Sequence, residues 1–219
     1  MRIPAISAMC ALALALASST AFAADPSLPF TKAAFDEAKG QKAVILVSAN
    51  WARRWKCGAF ENAQLQLLGF DRVGNERASA TDKPDVILED SSLLPASQAF
   101  VNYALIVEPG EYLFSAYRIK AAKSLSQVGT FESDRSTLIS DAKSKAGSFT
   151  ANAGEVVYIG HFALDCARAP MPWRYYPEDK PSFAKYLEVV AREYPGLPTQ
   201  EAKFRLFQTS LLGSPFTLE

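Results

Sequence analysis

The chain has 219 residues, 49% of them hydrophobic, and its 23 basic and 23 acidic side chains cancel to a formal net charge of zero. No run of like charges occurs, so the sequence shows no electrostatic footprint for nucleic acid or for an anionic membrane surface. A substantial core is available at this length, and one all-β domain with an appendage is the expected organisation.

Residues 1–23 read as a cleavable signal peptide. Arg2 supplies the positive start, Met9 to Ala17 is an apolar stretch, and Ala21-Phe22-Ala23 has the small-x-small pattern of a cleavage site, so the mature chain begins near Ala24. The apolar stretch is shorter than the roughly 20 residues that cross a hydrocarbon core, and no later segment approaches that length, so no transmembrane segment is expected. Cys10 lies inside this stretch with too little apolar sequence before it for lipid attachment. The expected location is periplasmic or secreted. Of three cysteines only Cys57 and Cys166 survive cleavage, and an even count in an oxidising compartment favours a disulfide over two separate buried thiols.

In the mature chain, Thr31 can cap a short helix from Lys32 to Lys39 that Gly40 would end. Lys42 to Ser48 reads KAVILVS, a strand buried on both faces. Gln64 to Phe70 is a second strand and Asp85 to Leu88 a weaker third. Phe100 to Val107 and Tyr112 to Ile119 flank Glu108-Pro109-Gly110-Glu111 and read as a hairpin of adjacent strands. Gly147 to Thr150 and Glu155 to Phe162, joined through Asn152-Ala153-Gly154, read as another. Ala121 to Lys145 reads as a long connection with a short edge strand. Pro170, Pro172, Pro177 and Pro181 are expected to keep the Trp173-Arg174-Tyr175-Tyr176 segment out of regular strands. A helix follows from Ser182 to Glu193, with Phe183, Tyr186, Leu187, Val190 and Tyr194 on one buried stripe. Thr199 to Leu212 is ambiguous and helical by composition.

The expected fold is mainly β, an antiparallel β-sandwich over residues 24–168. Residues 169–219 form a Pro- and aromatic-rich segment and C-terminal helices packed on it.

Few residues carry chemistry. KAVILVSANWARRWKC has the strand, Trp and Cys of thioredoxin-like proteins, but Ala52 or Arg53 stands where the first redox cysteine should be. His161 is the only histidine, which excludes the usual structural zinc sets unless carboxylates complete them. In a regular strand its side chain shares a face with Val157 and Ile159 and opposes Tyr158 and Phe162. No G-x-S-x-G elbow, phosphate loop, calcium loop or zincin motif is present, so no catalytic residue, metal ligand or cofactor is assigned. Trp173, Arg174, Tyr175 and Tyr176 form the densest aromatic cluster, either covering one end of the sandwich or, with His161, forming a binding site.

The pairing of VEPGEYLFSAYRIK with TANAGEVVYIGHFALDC resembles uncharacterised bacterial envelope domains with a small prealbumin-like or carboxypeptidase-regulatory-like β-sandwich. The resemblance covers Ala99 to Cys166, implies a fold and a compartment, and carries over no catalytic residues. The resulting expectation is a non-catalytic periplasmic module that binds an envelope protein or supports the envelope. The alternative is an envelope hydrolase or glycan-binding accessory using His161 or the aromatic cluster.

Overall fold

The computed structural model describes residues 27–38, 40–74, 82–90, 100–141 and 143–205; the segment expected to be a signal peptide and the chain beyond Arg205 lie outside the described residues. In chain order the elements are β1 (Leu28–Pro29), α1 (Lys32–Glu37), β2 (Ala43–Ala49), β3 (Arg54–Cys57), β4 (Phe60–Arg72), β5 (Val86–Glu89) and β6 (Val101–Val107). There follow β7 (Gly110–Ser124), β8 (Gln127–Ser133), α2 (Arg135–Leu138), β9 (Ile139–Ser140), β10 (Lys143–Ser144) and β11 (Ser148–Ala151). The last are β12 (Val156–Asp165), β13 (Met171–Tyr175), α3 (Lys180–Glu193) and β14 (Lys203–Phe204), the final two separated by a 3-10 turn at Thr199–Glu201.

Two six-stranded sheets account for most of these strands. The first has the order β1-β6-β2-β12-β13, with β14 also on β12; the second has the order β11-β7-β4-β3, with β5 on β4 and β8 on β7. Pairing is antiparallel except where β12 lies parallel to β2 and to β14. One apolar core joins the sheets, with Ile45, Val47 and Phe162 from the first meeting Leu65, Phe70 and Phe114 from the second. A second cluster lies on the other face of the first sheet, where Val44, Leu46 and Tyr158 meet Phe30, Phe35 of α1 and Phe183, Tyr186 and Val190 of α3. The molecule is therefore a β-sandwich with a helical layer outside one sheet. Strand β2 is covered by both layers, which is why its unbroken apolar run is buried at every position.

Local chemistry sets the helices. Thr31 accepts from the Ala34 N–H at 3.2 Å to start α1, and Asp179 accepts from the Ser182 N–H at 2.7 Å to start α3 with Pro181 in its first turn. The stripe read from sequence is the one α3 buries: Tyr186 and Val190 are fully inside, with Phe183, Leu187 and Tyr194 packed beside them.

Three expectations are corrected. Neither predicted pair is a hairpin, because β6 belongs to the first sheet and β7 to the second, and β11 and β12 are divided the same way. Pro-Gly and Asn-Ala-Gly fix where the chain reverses, but both strands of each pair are apolar toward the same core. The reversal crosses the roughly 10 Å between sheets instead of pairing the strands. The Ala121 to Lys145 segment is largely strand, since β7 runs on to Ser124 and returns as β8 along it. Its Lys and Ser residues are those of an exposed edge strand. The prolines after Cys166 do not keep the chain irregular: β13 pairs antiparallel with β12 from Asp165↔Met171 to His161↔Tyr175, and as an edge strand it tolerates Pro172. Of the ambiguous C-terminal segment, the described part is the 3-10 turn and β14, and the remainder lies outside the described residues.

Cys57 at the end of β3 and Cys166 just after β12 form a disulfide with Cα atoms 4.5 Å apart, tying the two sheets together across a separation of 109 residues. Cys57 closes a strand of its own, so the bridge leaves from β3 and not from the end of β2. On the chain-entropy account a loop of this size confers at most about 4.7 kcal/mol.

Candidate functional site

A register shift between Tyr158 and His161 interrupts the β12–β2 ladder, and Gly160 at its centre has φ of +117°. The extra residue reverses the alternation of side chains. Val157 and Ile159 face the inter-sheet core before it, and Phe162 and Leu164 face it afterwards. His161 consequently lies on the helix side with Tyr158, the reverse of the face expected for a regular strand. A Cβ at Gly160 would sit 2.7 Å from Cγ of Arg174, so the missing side chain also admits the Arg174 stem.

His161 forms one wall of a cleft of about 550 Å³ between the end of the first sheet and α3. Phe100, Tyr175, Tyr176 and Tyr186 supply its other rings, and Asn50, Arg54 and Ser182 its polar groups. Tyr175 stands opposite His161 in the β12–β13 ladder, which places both side chains on one face. The imidazole lies 4.9 Å, centroid to centroid, from each of the Phe100 and Tyr186 rings. Its Nδ1 shares a short hydrogen bond with the Tyr158 hydroxyl. Burial holds the Tyr158 phenol well above its ordinary pKa, so it keeps its proton and can donate to Nδ1. Burial also lowers the His161 pKa to about 4, leaving the imidazole neutral at pH 7.

At Tyr186 a buried polar group is unsatisfied. Its side chain lines the cleft, and its hydroxyl meets only the Ser48 side chain, in a contact short of ordinary hydrogen-bond geometry. Its neighbour Ser48 donates to Asn102 Oδ1 at 2.7 Å. A buried hydroxyl left in this condition costs about 1–3 kcal/mol.

The four residues of the aromatic cluster do not act together. Arg174 is 4% exposed, its guanidinium 5.1 Å from the centre of the Tyr176 ring. Trp173 is half-buried opposite Ala163 and does not line the cleft. Tyr175, 42% exposed, and the half-buried Tyr176 both line it, although neighbouring residues of one strand would point apart. Tyr175 ends β13, and past it the chain leaves the ladder, which brings the Tyr176 ring to 5.2 Å from Phe204. Sequence reading missed Asn50, Arg54, Phe100 and Ser182, which come from three separated segments and share no local motif; Tyr186 was legible only as a core position of α3.

No carboxylate lines this cleft. Asp165 instead accepts from the Ala167 N–H at 3.0 Å. Among the described residues no three His, Cys, Asp or Glu side chains are grouped as a metal site, and no helix is long and apolar enough to cross a membrane. A second cleft, of about 510 Å³, lies by β5, β7 and α2. Its charges are largely answered within the protein, through the Arg135–Asp71 pair at 2.5 Å and the Arg118–Glu132 pair at 3.5 Å. No protein-family model matches this chain, and neither does any of the curated proteins or solved structures with which it was compared.

Proposed function

We propose that the chain is a non-catalytic binding module of the bacterial periplasm, which holds a ring-bearing group of an envelope partner in the cleft beside His161. The cleft itself carries this reading: Phe100, Tyr175, Tyr176 and Tyr186 wall it beside His161, with Asn50, Arg54 and Ser182 as its polar groups. A concave, mainly apolar cavity of this size with a few convergent polar groups has the usual form of a ligand site. Planar side chains favour a sugar ring or an aromatic side chain of a protein, and Arg54 is the cation available to an acidic substituent. Catalysis is disfavoured because a neutral imidazole whose Nδ1 is engaged by a tyrosine, with no carboxylate in the cleft, lacks the oriented acid–base pair that hydrolysis requires. The disulfide supports an oxidising compartment, and the envelope-domain resemblance supports the same location.

The test is recovery of partners from envelope extracts by the tagged exported chain, with Tyr175→Ala and Arg54→Ala variants in parallel. Both positions are at the cleft rim, so the variants should fold. The expected result is a partner whose recovery falls at least tenfold with either variant at unchanged melting temperature. A partner retained equally by both variants would place binding elsewhere and defeat the proposal.

A further inference from the structure

On the outer face of the second sheet, away from the cleft, the ladders set Trp55 opposite Asn62, Asn62 opposite Ala122, and Ala122 opposite Val128. This cross-strand row ends in large apolar groups left in water, with Trp55 65% and Val128 51% exposed. Leu125, in the turn joining β7 to β8, is 102% exposed. All three line one shallow depression of about 200 Å³ together with Arg53 and Lys120. The Arg53 guanidinium lies 5.7 Å from the Trp55 ring centre, and Lys123 lies at the same distance from Phe60 on the same hairpin. Glu61 is the one carboxylate lining the depression.

From this arrangement we infer that the β7–β8 tip and the Arg53–Trp55 corner dock on an anionic phospholipid surface. Lys120 and Lys123 precede the turn and Leu125 is its tip, so cations and the indole stand behind a fully exposed aliphatic group. That is the order in which a leaflet presents phosphate, interface and acyl chains. Charge is complementary as well: Arg53 and Lys120 outnumber Glu61 two to one among the residues that line the depression, and Lys123 lies two residues before Leu125. A sugar would stack on Trp55 but leave Leu125 in water. The sequence hid this footprint because its cations are dispersed, and only the β3-β4-β7-β8 order gathers residues 53–55 with residues 120–128.

Flotation of the exported chain with vesicles decides it. Binding to phosphatidylglycerol/phosphatidylethanolamine vesicles should be at least tenfold stronger than to phosphatidylcholine vesicles and should weaken as salt rises from about 50 to 500 mM. Leu125→Glu, and separately the Lys120→Glu/Lys123→Glu pair, should each lower binding at least tenfold with unchanged melting temperature, leaving cleft-dependent partner recovery intact. Equal binding to the two vesicle types, no binding, or variants that bind like the parent would overturn the inference. Capture of a protein that depends on Leu125, without vesicle binding, would likewise replace lipid with a protein partner.

Discussion

The two faces of the first sheet differ in chemistry. Toward the second sheet its contacts are mainly hydrocarbon: Phe70 meets the edges or faces of Phe114, Phe149 and Phe162 at 5.3, 5.8 and 5.9 Å, no imidazole enters that cluster, and its Trp51 and Tyr112 donate to the Tyr103 hydroxyl and the Glu108 carbonyl. Toward α3 the same sheet presents Tyr158 and His161 against Tyr186 of the helix, and the polar atoms of all three must be satisfied in a poorly hydrated layer. A core needed only for stability gains nothing from such groups, since apolar residues of similar volume avoid the desolvation cost. The contrast teaches that the inner layer holds the fold while the outer layer, open at one end as the cleft, spends stability on recognition.

The largest effect expected is in the inner layer. Phe70→Ala removes a ring enclosed on all sides and should cost about 3–5 kcal/mol in chemical denaturation. A loss below 1 kcal/mol would show that the sheets close around the cavity and that the inner layer is less rigid than the contrast requires. Next comes the bridge between the sheets. The Cys57→Ser/Cys166→Ser double variant should lose about 2–5 kcal/mol, with hydrogen exchange rising first where β3 and β12 end. Uniform loosening of α3 together with the sheets would erase the distinction between the layers.

Much of both layers was legible. The apolar run of β2, the stripe of α3 and the pairing of Cys57 with Cys166 each rest on a signal contained in one segment or in a count. Sheet membership was not legible, because a Pro-Gly turn between two apolar strands is compatible with pairing side by side and with crossing the core, and partners such as β4, distant in sequence, decide between them. The cleft was half legible. His161, Tyr175 and Tyr176 stood out by residue type, but the Gly160 bulge that moves His161 to the helix side changes the alternation by one residue, which composition does not record. Arg174, chosen as a recognition residue, is buried against Tyr176, where the absent side chain of Gly160 gives it room.

In the outer layer His161 should make stability depend on pH. Its pKa is about 4 in the folded protein and near 6.5 when exposed, so the unfolded chain binds the proton more readily. Stability is therefore full above pH 6.5, falls as the pH drops from 6.5 toward 4, and levels off below that for this group. Between pH 7 and pH 5 the loss should be about 2 kcal/mol. The carboxyl groups of Asp134, Glu155 and Asp179, all held below their usual values of 3.8 to 4.5, withdraw their contributions only at lower pH. Urea unfolding of the parent and of His161→Asn at pH 7, 6 and 5 checks this. The slope should vanish in the variant, and a slope that persists would assign the titration to another group.

Tyr186→Phe should have the smallest effect on stability and the most informative one on the contrast between layers. In the inner layer a conservative change that removes atoms costs stability because every atom there is in contact. At Tyr186 the deleted oxygen is buried with only a poor contact to Ser48, so its removal relieves a desolvation penalty while the ring stays packed against Tyr158 at 4.9 Å. Stability should therefore change by less than about 1 kcal/mol, and an increase is the favoured sign. Binding should move the other way: if a partner satisfies this hydroxyl, its loss weakens association by about five- to tenfold, the worth of one buried hydrogen bond. Thermal unfolding and partner recovery, measured on the same preparation, give both readings. A clear loss of stability with undiminished binding would mean that the hydroxyl serves the fold and that the outer layer is a second core.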